Sequence, residues 1–433
     1  MATDWVSTAD PATPALIDRD TLVTYGELDR LVDAIARELS GVHRVERGQL
    51  VAVVAESTVP GIAMLWALWR LGAVVVPLAS TTSRVPESAR LVPGVGGAGG
   101  AVASSQHSIA AAGYDEMHTV VPTSGSTGHS RSVVLTRGNV HSAVAASQQR
   151  LGNSAADRWL LVLPLYHVGG LSILWRSAAA GGTVVLGGGF DPKSVLAALS
   201  NVAWASLVPT MLVRLLKSMP VAGQFTQLRG VLVGGGHASV EVLEQSLDAG
   251  IPVLATYGMT EACSQVATMT PGQQRDELGS VGRPLDGYVV SLAPDGEVLV
   301  DGPAVSPGYL GESARSGPLK TGDLGRFDAA GRLVITGRRK TLIISGGENV
   351  DPERVESVIA RHQAVDDVAV FGVPDEEWGE RVVAAIVWRA GPDGSLADAV
   401  AAELERWEVP KEWRVVDAIP RTSIGKVDRS QLG

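Results

Sequence analysis

Short runs of Val, Leu, Ile and Ala at Leu50–Ala55, Ala73–Pro77, Trp159–Leu163, Thr183–Leu186 and Val231–Val233 alternate with longer segments of helical period, such as Tyr25–Leu39 and Val240–Ala249. Short apolar runs of this kind are strands buried on both faces, as in a largely parallel sheet, and the periodic segments supply the helices that cover it. The pattern predicts α/β layering. Thr24 stands three residues before Glu27 at the head of the first helical segment, the spacing of a capping box.

From Gly287 onward the texture changes to short alternating strands, at Val289–Ser291, Gly296–Val300 and Arg332–Ile335, separated by the turn signals Pro294-Asp-Gly296 and Ala330-Gly331. A smaller β-rich subdomain is expected there. Beyond Gly337-Arg-Arg-Lys340 the order predicts an α+β unit: strand Leu342–Ser345, helix Pro352–His362, strands Asp367–Val373 and Arg381–Val387, and helix Leu396–Trp407. The expected division is a large domain over 1–339 and a small one over 340–433. Pro93–Ala103, with five glycines, reads as a loop without chemistry.

A chain of 433 residues is long enough for two domains and a cleft. Its formal net charge of -10 disfavours nucleic acid and anionic membrane as partners, so an anionic substrate needs locally placed cations. The single cysteine, Cys263, cannot close an intramolecular disulfide, which fits a reducing cytoplasm. The apolar run Gly61–Leu78 is broken by Arg70, Gly72 and Pro77, so no membrane insertion is expected.

Several short motifs carry candidate chemistry. Thr123-Ser124-Gly125-Ser126-Thr127-Gly128 follows an apolar pair and precedes Val133-Val134-Leu135. Glycines and hydroxyls in such a loop turn N–H and O–H donors toward phosphate oxygens, although a plain strand-to-strand turn has the same composition. Leu163-Pro-Leu-Tyr-His167-Val-Gly-Gly170 sets an imidazole at the end of an apolar run, where it serves either a pocket or the core. Gly234-Gly235-Gly236 lets a planar ring lie on bare backbone or simply opens a helix. In Thr256-Tyr257-Gly258-Met259-Thr260-Glu261, Tyr257 offers a face for a base, Thr260 a hydroxyl for a phosphate and Glu261 a hard oxygen ligand for Mg2+. Asp323, in Thr321-Gly-Asp323, is suited to accept from sugar hydroxyls, and Lys426, in Pro420-Arg-Thr-Ser-Ile-Gly-Lys426, is a point cation on a glycine-bearing loop. Each also has an ordinary structural reading.

Taken in order, Thr123, His167, Gly234, Tyr257, Asp323, Arg338 and Lys426 resemble the acyl-adenylate-forming superfamily of acyl-CoA synthetases, adenylation domains and luciferases over nearly the whole chain. The resemblance implies a large N-terminal domain of two layered αβ subdomains plus a β-barrel-like piece, and a small mobile C-terminal domain hinged at Lys340. It implies ATP, Mg2+ and coenzyme A as reactants and cofactors, and a small carboxylic acid as substrate. By the same resemblance, Thr123 to Thr127 hold phosphate, Gly234 to Gly236 with Tyr257 and Gly258 surround the adenine, and Thr260 lies near the α-phosphate. Glu261 would hold Mg2+, Asp323 and Arg338 the ribose, and Lys426 would bridge acid and phosphate. The loop Gly346-Gly347-Glu348 would serve the thiol step. A homodimer is a family-level expectation.

Two positions depart from the family pattern. Gly128-His-Ser-Arg131 replaces the usual Gly-x-Pro-Lys, so the phosphate contact of Arg131 is in question, and His237 follows the glycine run in place of a small residue or proline. Within the family, Leu163–Ser177 and Val208–Arg214 are most similar to ligases of an aromatic dicarboxylate. The second carboxylate of such a substrate needs a partner, for which Arg214, His167 and Arg176 are the candidates in that order. A ligase for another aryl or fatty acid and a non-catalytic nucleotide-binding homologue are the competing readings.

Overall fold

The computed structural model describes residues 4–80, 83, 89–91, 117–123, 131–219, 223, 225–339, 342–345, 348–375, 378–421 and 427–432. The glycine-rich stretch 93–103 lies outside them. The chain divides into two compact units, Met1–Val290 with Val300–Leu319, and Ser291–Leu299 with Lys320–Gly433.

The first unit is the α/β part. Its larger sheet has nine described strands, in the order Arg283–Pro284, Ser264–Thr268, Val253–Met259, Gly230–Val233, Trp204–Leu207, Arg158–Leu161, Thr183–Leu186, Pro14–Asp18, Thr21–Thr24. The run from Val253–Met259 through Pro14–Asp18 is parallel, and both edges turn antiparallel. The second sheet runs Gly308–Tyr309, Arg131–Thr136, Met117–Thr123, Val74–Leu78, Leu50–Val54, Arg90–Leu91. Residues such as Val51, Val75, Leu135 and Val231 are wholly buried, as strands covered on both faces require.

Local signals account for the element ends. Thr24 and Glu27 form the reciprocal capping box at the start of Tyr25–Gly41. Helix Val59–Leu71 starts on the Thr58 side chain with a proline in its first turn and stops at Gly72 in the left-handed region. It is buried almost throughout, yet among the described residues no helix is long and apolar enough to cross a membrane.

The second unit holds a four-stranded sheet in the order Val289–Leu292, Glu297–Asp301, Leu319–Phe327, Leu333–Arg338. Its other sheet is built on the long antiparallel pair Val365–Asp375 and Gly379–Trp388 and carries the helix Pro352–Ala360. The expected helix Leu396–Trp407 ends early, at Ala401. The Glu408 carboxylate takes the N–H of Glu405 at 3.0 Å and so offers the backbone an alternative to another helical turn.

Candidate active site

In the first unit, the strands Met117–Thr123 and Arg131–Thr136 pair antiparallel up to Thr123 opposite Arg131, and the Thr123 hydroxyl donates to the Arg131 carbonyl at 2.9 Å. They form the stem of the phosphate-loop motif, whose residues Ser124, Gly125, Ser126, Thr127 and Gly128 lie outside the described residues. Arg131 leaves the stem exposed. Its guanidinium lies 4.8 Å from the centre of the Tyr309 ring and 3.4 Å from Glu312.

The glycine run and the tyrosine motif meet at adjacent strand ends. Gly234 closes the strand Gly230–Val233, where a Cβ would fall 2.7 Å from Thr256 Cγ2 and 2.9 Å from the Thr256 carbonyl oxygen. Only glycine permits that approach. Gly235 has φ +80°, and a Cβ at Gly236 would make only ordinary contact with Pro209, at 3.7 Å. Tyr257 is 9% exposed, and a side chain at Gly258 would collide with the Ser264 carbonyl. Thr260–Ala262 then forms one 3-10 turn, followed by Cys263 at φ +54° and Ser264 at φ +94°. Two successive non-glycine residues with positive φ are sterically costly, and such backbone persists where its surroundings fix it.

What fixes this turn was not anticipated from the sequence. The N–H of Ser306 donates to the Glu261 carbonyl at 2.7 Å, and the Tyr309 hydroxyl donates to Glu261 Oε1 at 2.9 Å. Burial, followed by the neighbouring Glu261 charge, pushes the Tyr309 hydroxyl up to about 12, so it remains a proton donor. Tyr288 adds a hydroxyl bond to the Ala262 carbonyl at 2.8 Å.

The three candidates for an acid-binding cation differ in setting. His167 is the N-cap residue of helix Val168–Ala180, half-buried, with its ring 4.6 Å from that of Tyr166. Arg214 is exposed on the last turn of Pro209–Lys217, its guanidinium over Phe190 at 5.4 Å. Arg176 is 3% exposed. It donates to the Ser172 carbonyl at 2.9 Å, to Gln265 Oε1 at 2.8 Å and to the Ser172 hydroxyl, with its guanidinium 4.8 Å from the Trp159 ring. None of these partners is a carboxylate, and burial lowers its pKa to about 10. The network continues from Gln265 to Ser147 and Thr268 and on to Thr256, beside Gly234.

In the second unit, Asp323 and Arg338 are register partners of one hairpin, with Arg338 Nε 3.0 Å from Asp323 Oδ1. The Thr321 hydroxyl accepts the Asp323 N–H at 3.1 Å and donates to the Val298 carbonyl at 2.8 Å. Glu348 is exposed opposite Ser345. Lys340, Gly346, Gly347 and Lys426 lie outside the described residues; Arg421 and Val427, on either side of the segment holding Lys426, form an isolated bridge, and Arg421 donates to Asp367 at 2.6 Å.

The AMP-binding enzyme model matches residues 3–92 and 88–310, and the AMP-binding enzyme C-terminal domain model matches residues 354–426. The 2-succinylbenzoate–CoA ligase of Bacillus subtilis (strain 168) is 34% identical, over 99% of this chain and 97% of the relative. That of Listeria innocua is 39% identical over 72% of this chain and 69% of the relative. Among solved structures, the B. subtilis o-succinylbenzoate CoA synthetase in complex with the acyl-adenylate intermediate OSB-AMP superposes with TM-score 0.85 at 32% identity, covering 99% of this chain and 97% of the other. ATP-bound MatB from Rhodopseudomonas palustris gives TM-score 0.84 at 26% identity, covering 100% and 98%.

Proposed function

Because the chain belongs to the AMP-binding enzyme family, we propose that it ligates 2-succinylbenzoate to coenzyme A at the expense of ATP, through an acyl-adenylate, as a step of menaquinone biosynthesis. The carrying observation is similarity over 99% of the chain to a B. subtilis ligase captured with OSB-AMP. A cytoplasmic location and a homodimeric state are part of the same proposal.

The first step joins a substrate carboxylate oxygen to the α-phosphorus as pyrophosphate leaves. Two anions meet, so the chain's task is mainly electrostatic. The donor set of the Glu261 turn, a carboxylate beside the Thr260 hydroxyl, fits a hard cation, and magnesium bound there would offset phosphate charge. Glu261 is held by a neutral hydroxyl, so its charge is left for that purpose. Thr123 and its loop hold the phosphates, the glycine strand ends and Tyr257 flank the adenine, and Asp323 with Arg338 accepts the ribose. Lys426 bridges the two anions. In the second step a thiolate attacks the acyl carbonyl and AMP departs, with Lys340 as the hinge for the change and Glu348 on the loop that serves it.

For the spectator carboxylate, Arg176 now ranks ahead of Arg214 and His167. A guanidinium has five N–H donors, and the described acceptors of Arg176 engage three of them. A buried cation with neutral partners carries a desolvation cost that an arriving carboxylate offsets. Pyrophosphate release and thioester formation over a panel of acids test the assignment: 2-succinylbenzoate is expected to react well ahead of benzoate and fatty acids. In Arg176→Gln, kcat/KM for 2-succinylbenzoate should fall about a hundredfold, the size expected for losing one partner of a buried charge pair, while benzoate changes little. Equal activity with benzoate in the parent protein would discard the substrate assignment.

A further inference from the structure

The segment Ser306–Glu312 touches two parts of the candidate site that lie far apart in sequence. Gly308 and Tyr309 pair with Val134 and Val133 on the strand that leaves the phosphate-loop stem. On that side Leu310 donates to the Ser132 carbonyl at 2.8 Å, and the Ser306 hydroxyl donates to the Val134 carbonyl at 2.7 Å. Toward the Glu261 turn run the Ser306 N–H to the Glu261 carbonyl and the Tyr309 hydroxyl to the Glu261 carboxylate. The Arg131 guanidinium covers the Tyr309 ring. The segment is thus stitched to both sides by main-chain and side-chain bonds.

We propose that Tyr309 is a positioning residue that aims the Glu261 carboxylate at the metal of the nucleotide, and that Arg131, in the place of the family's loop lysine, acts by holding Tyr309 rather than by reaching phosphate. The inference rests on the ligase reading above. Without its hydroxyl partner the Glu261 side chain is free to rotate, because the strained turn fixes the backbone and not χ angles. Arg131 also lies within ion-pair distance of Glu312, so its guanidinium is engaged by a carboxylate as well as by the Tyr309 ring.

The test separates the half-reactions. With wild-type protein, pyrophosphate release and thioester formation from supplied acyl-adenylate are measured against Mg2+ concentration, and the thioester step needs no metal at Glu261. In Tyr309→Phe, which keeps the ring, the Mg2+ needed for half-maximal pyrophosphate release should rise about tenfold, the size of one hydrogen bond to a charged group. Thioester formation and the melting temperature should stay at wild-type values. Arg131→Met should produce a shift in the same direction, and the double variant should show no further shift than Tyr309→Phe alone. An unchanged Mg2+ requirement, or equal loss of both half-reactions, overturns the positioning role of Tyr309. Additive shifts, or a rise in KM for ATP alone in Arg131→Met, overturn that of Arg131. A wild-type protein that releases no pyrophosphate with any acid would instead remove the ligase reading.

Discussion

The Glu261 turn and the Asp323 hairpin each present a carboxylate, and they hold it by opposite means. Glu261 is held by a neutral hydroxyl, on a turn whose next two residues have positive φ. Asp323 sits on regular antiparallel strands, 9% exposed, opposite an arginine at 3.0 Å. A carboxylate with a neutral donor keeps its charge for an incoming cation. One already paired with a guanidinium contributes chiefly as an oriented acceptor, suited to hydroxyl groups.

Removing charge at the two positions gives the largest separation between them. Glu261→Gln keeps the side-chain volume and an acceptor for Tyr309 but loses the anion, and kcat for adenylation should fall by about 10²–10³, as for other electrostatic contributions made in the transition state. Asp323→Asn should act more weakly, raising KM for ATP by about tenfold through one weakened hydrogen bond with kcat little changed. Stability should hold in the latter, since Arg338 is 54% exposed and is solvated without its partner. Initial-rate measurements on both variants decide the matter, and equal effects on kcat would show that the two carboxylates act alike.

The sequence made much of this arrangement legible, and the physical reasons for the gaps can be named. Strand and helix order followed from hydrophobic period, since buried parallel strands admit little but aliphatic residues. Gly234 and Gly258 stand out because no other residue fits against Thr256 and Ser264. Arg176 stands in a helix buried from Leu171 to Ala178, where a charge has no solvent to face, and that apolar setting is visible in the sequence around it. Arg214 lies off the apolar face of its helix, whose buried residues are Leu212 and Leu215, so periodicity alone places it in water. Tyr309 gave no such signal. Its contact with Glu261 spans 48 residues and depends on strand register, which local pattern does not encode.

A third carboxylate limits how far pairing with arginine predicts charge. Glu356, on helix Pro352–Ala360, lies 2.5 Å from Arg429 and accepts the Val370 N–H at 2.8 Å. Burial nevertheless outweighs both and moves its pKa from 4.5 to about 7. The folded chain therefore binds more protons at this group than the unfolded chain between those values, so its contribution to stability declines as pH rises through that window and is level above it. Amide exchange of the peptide spanning Val365–Asp375, corrected for intrinsic rates, reports openings that release the Val370 bond. Protection there should fall roughly fivefold from pH 5 to pH 8, a local share of the shift, and the fall should vanish in Glu356→Gln, which keeps acceptors for Arg429 and Val370. A decline that persists in the variant would assign it to a group other than Glu356 and would remove the burial-driven titration proposed for this carboxyl.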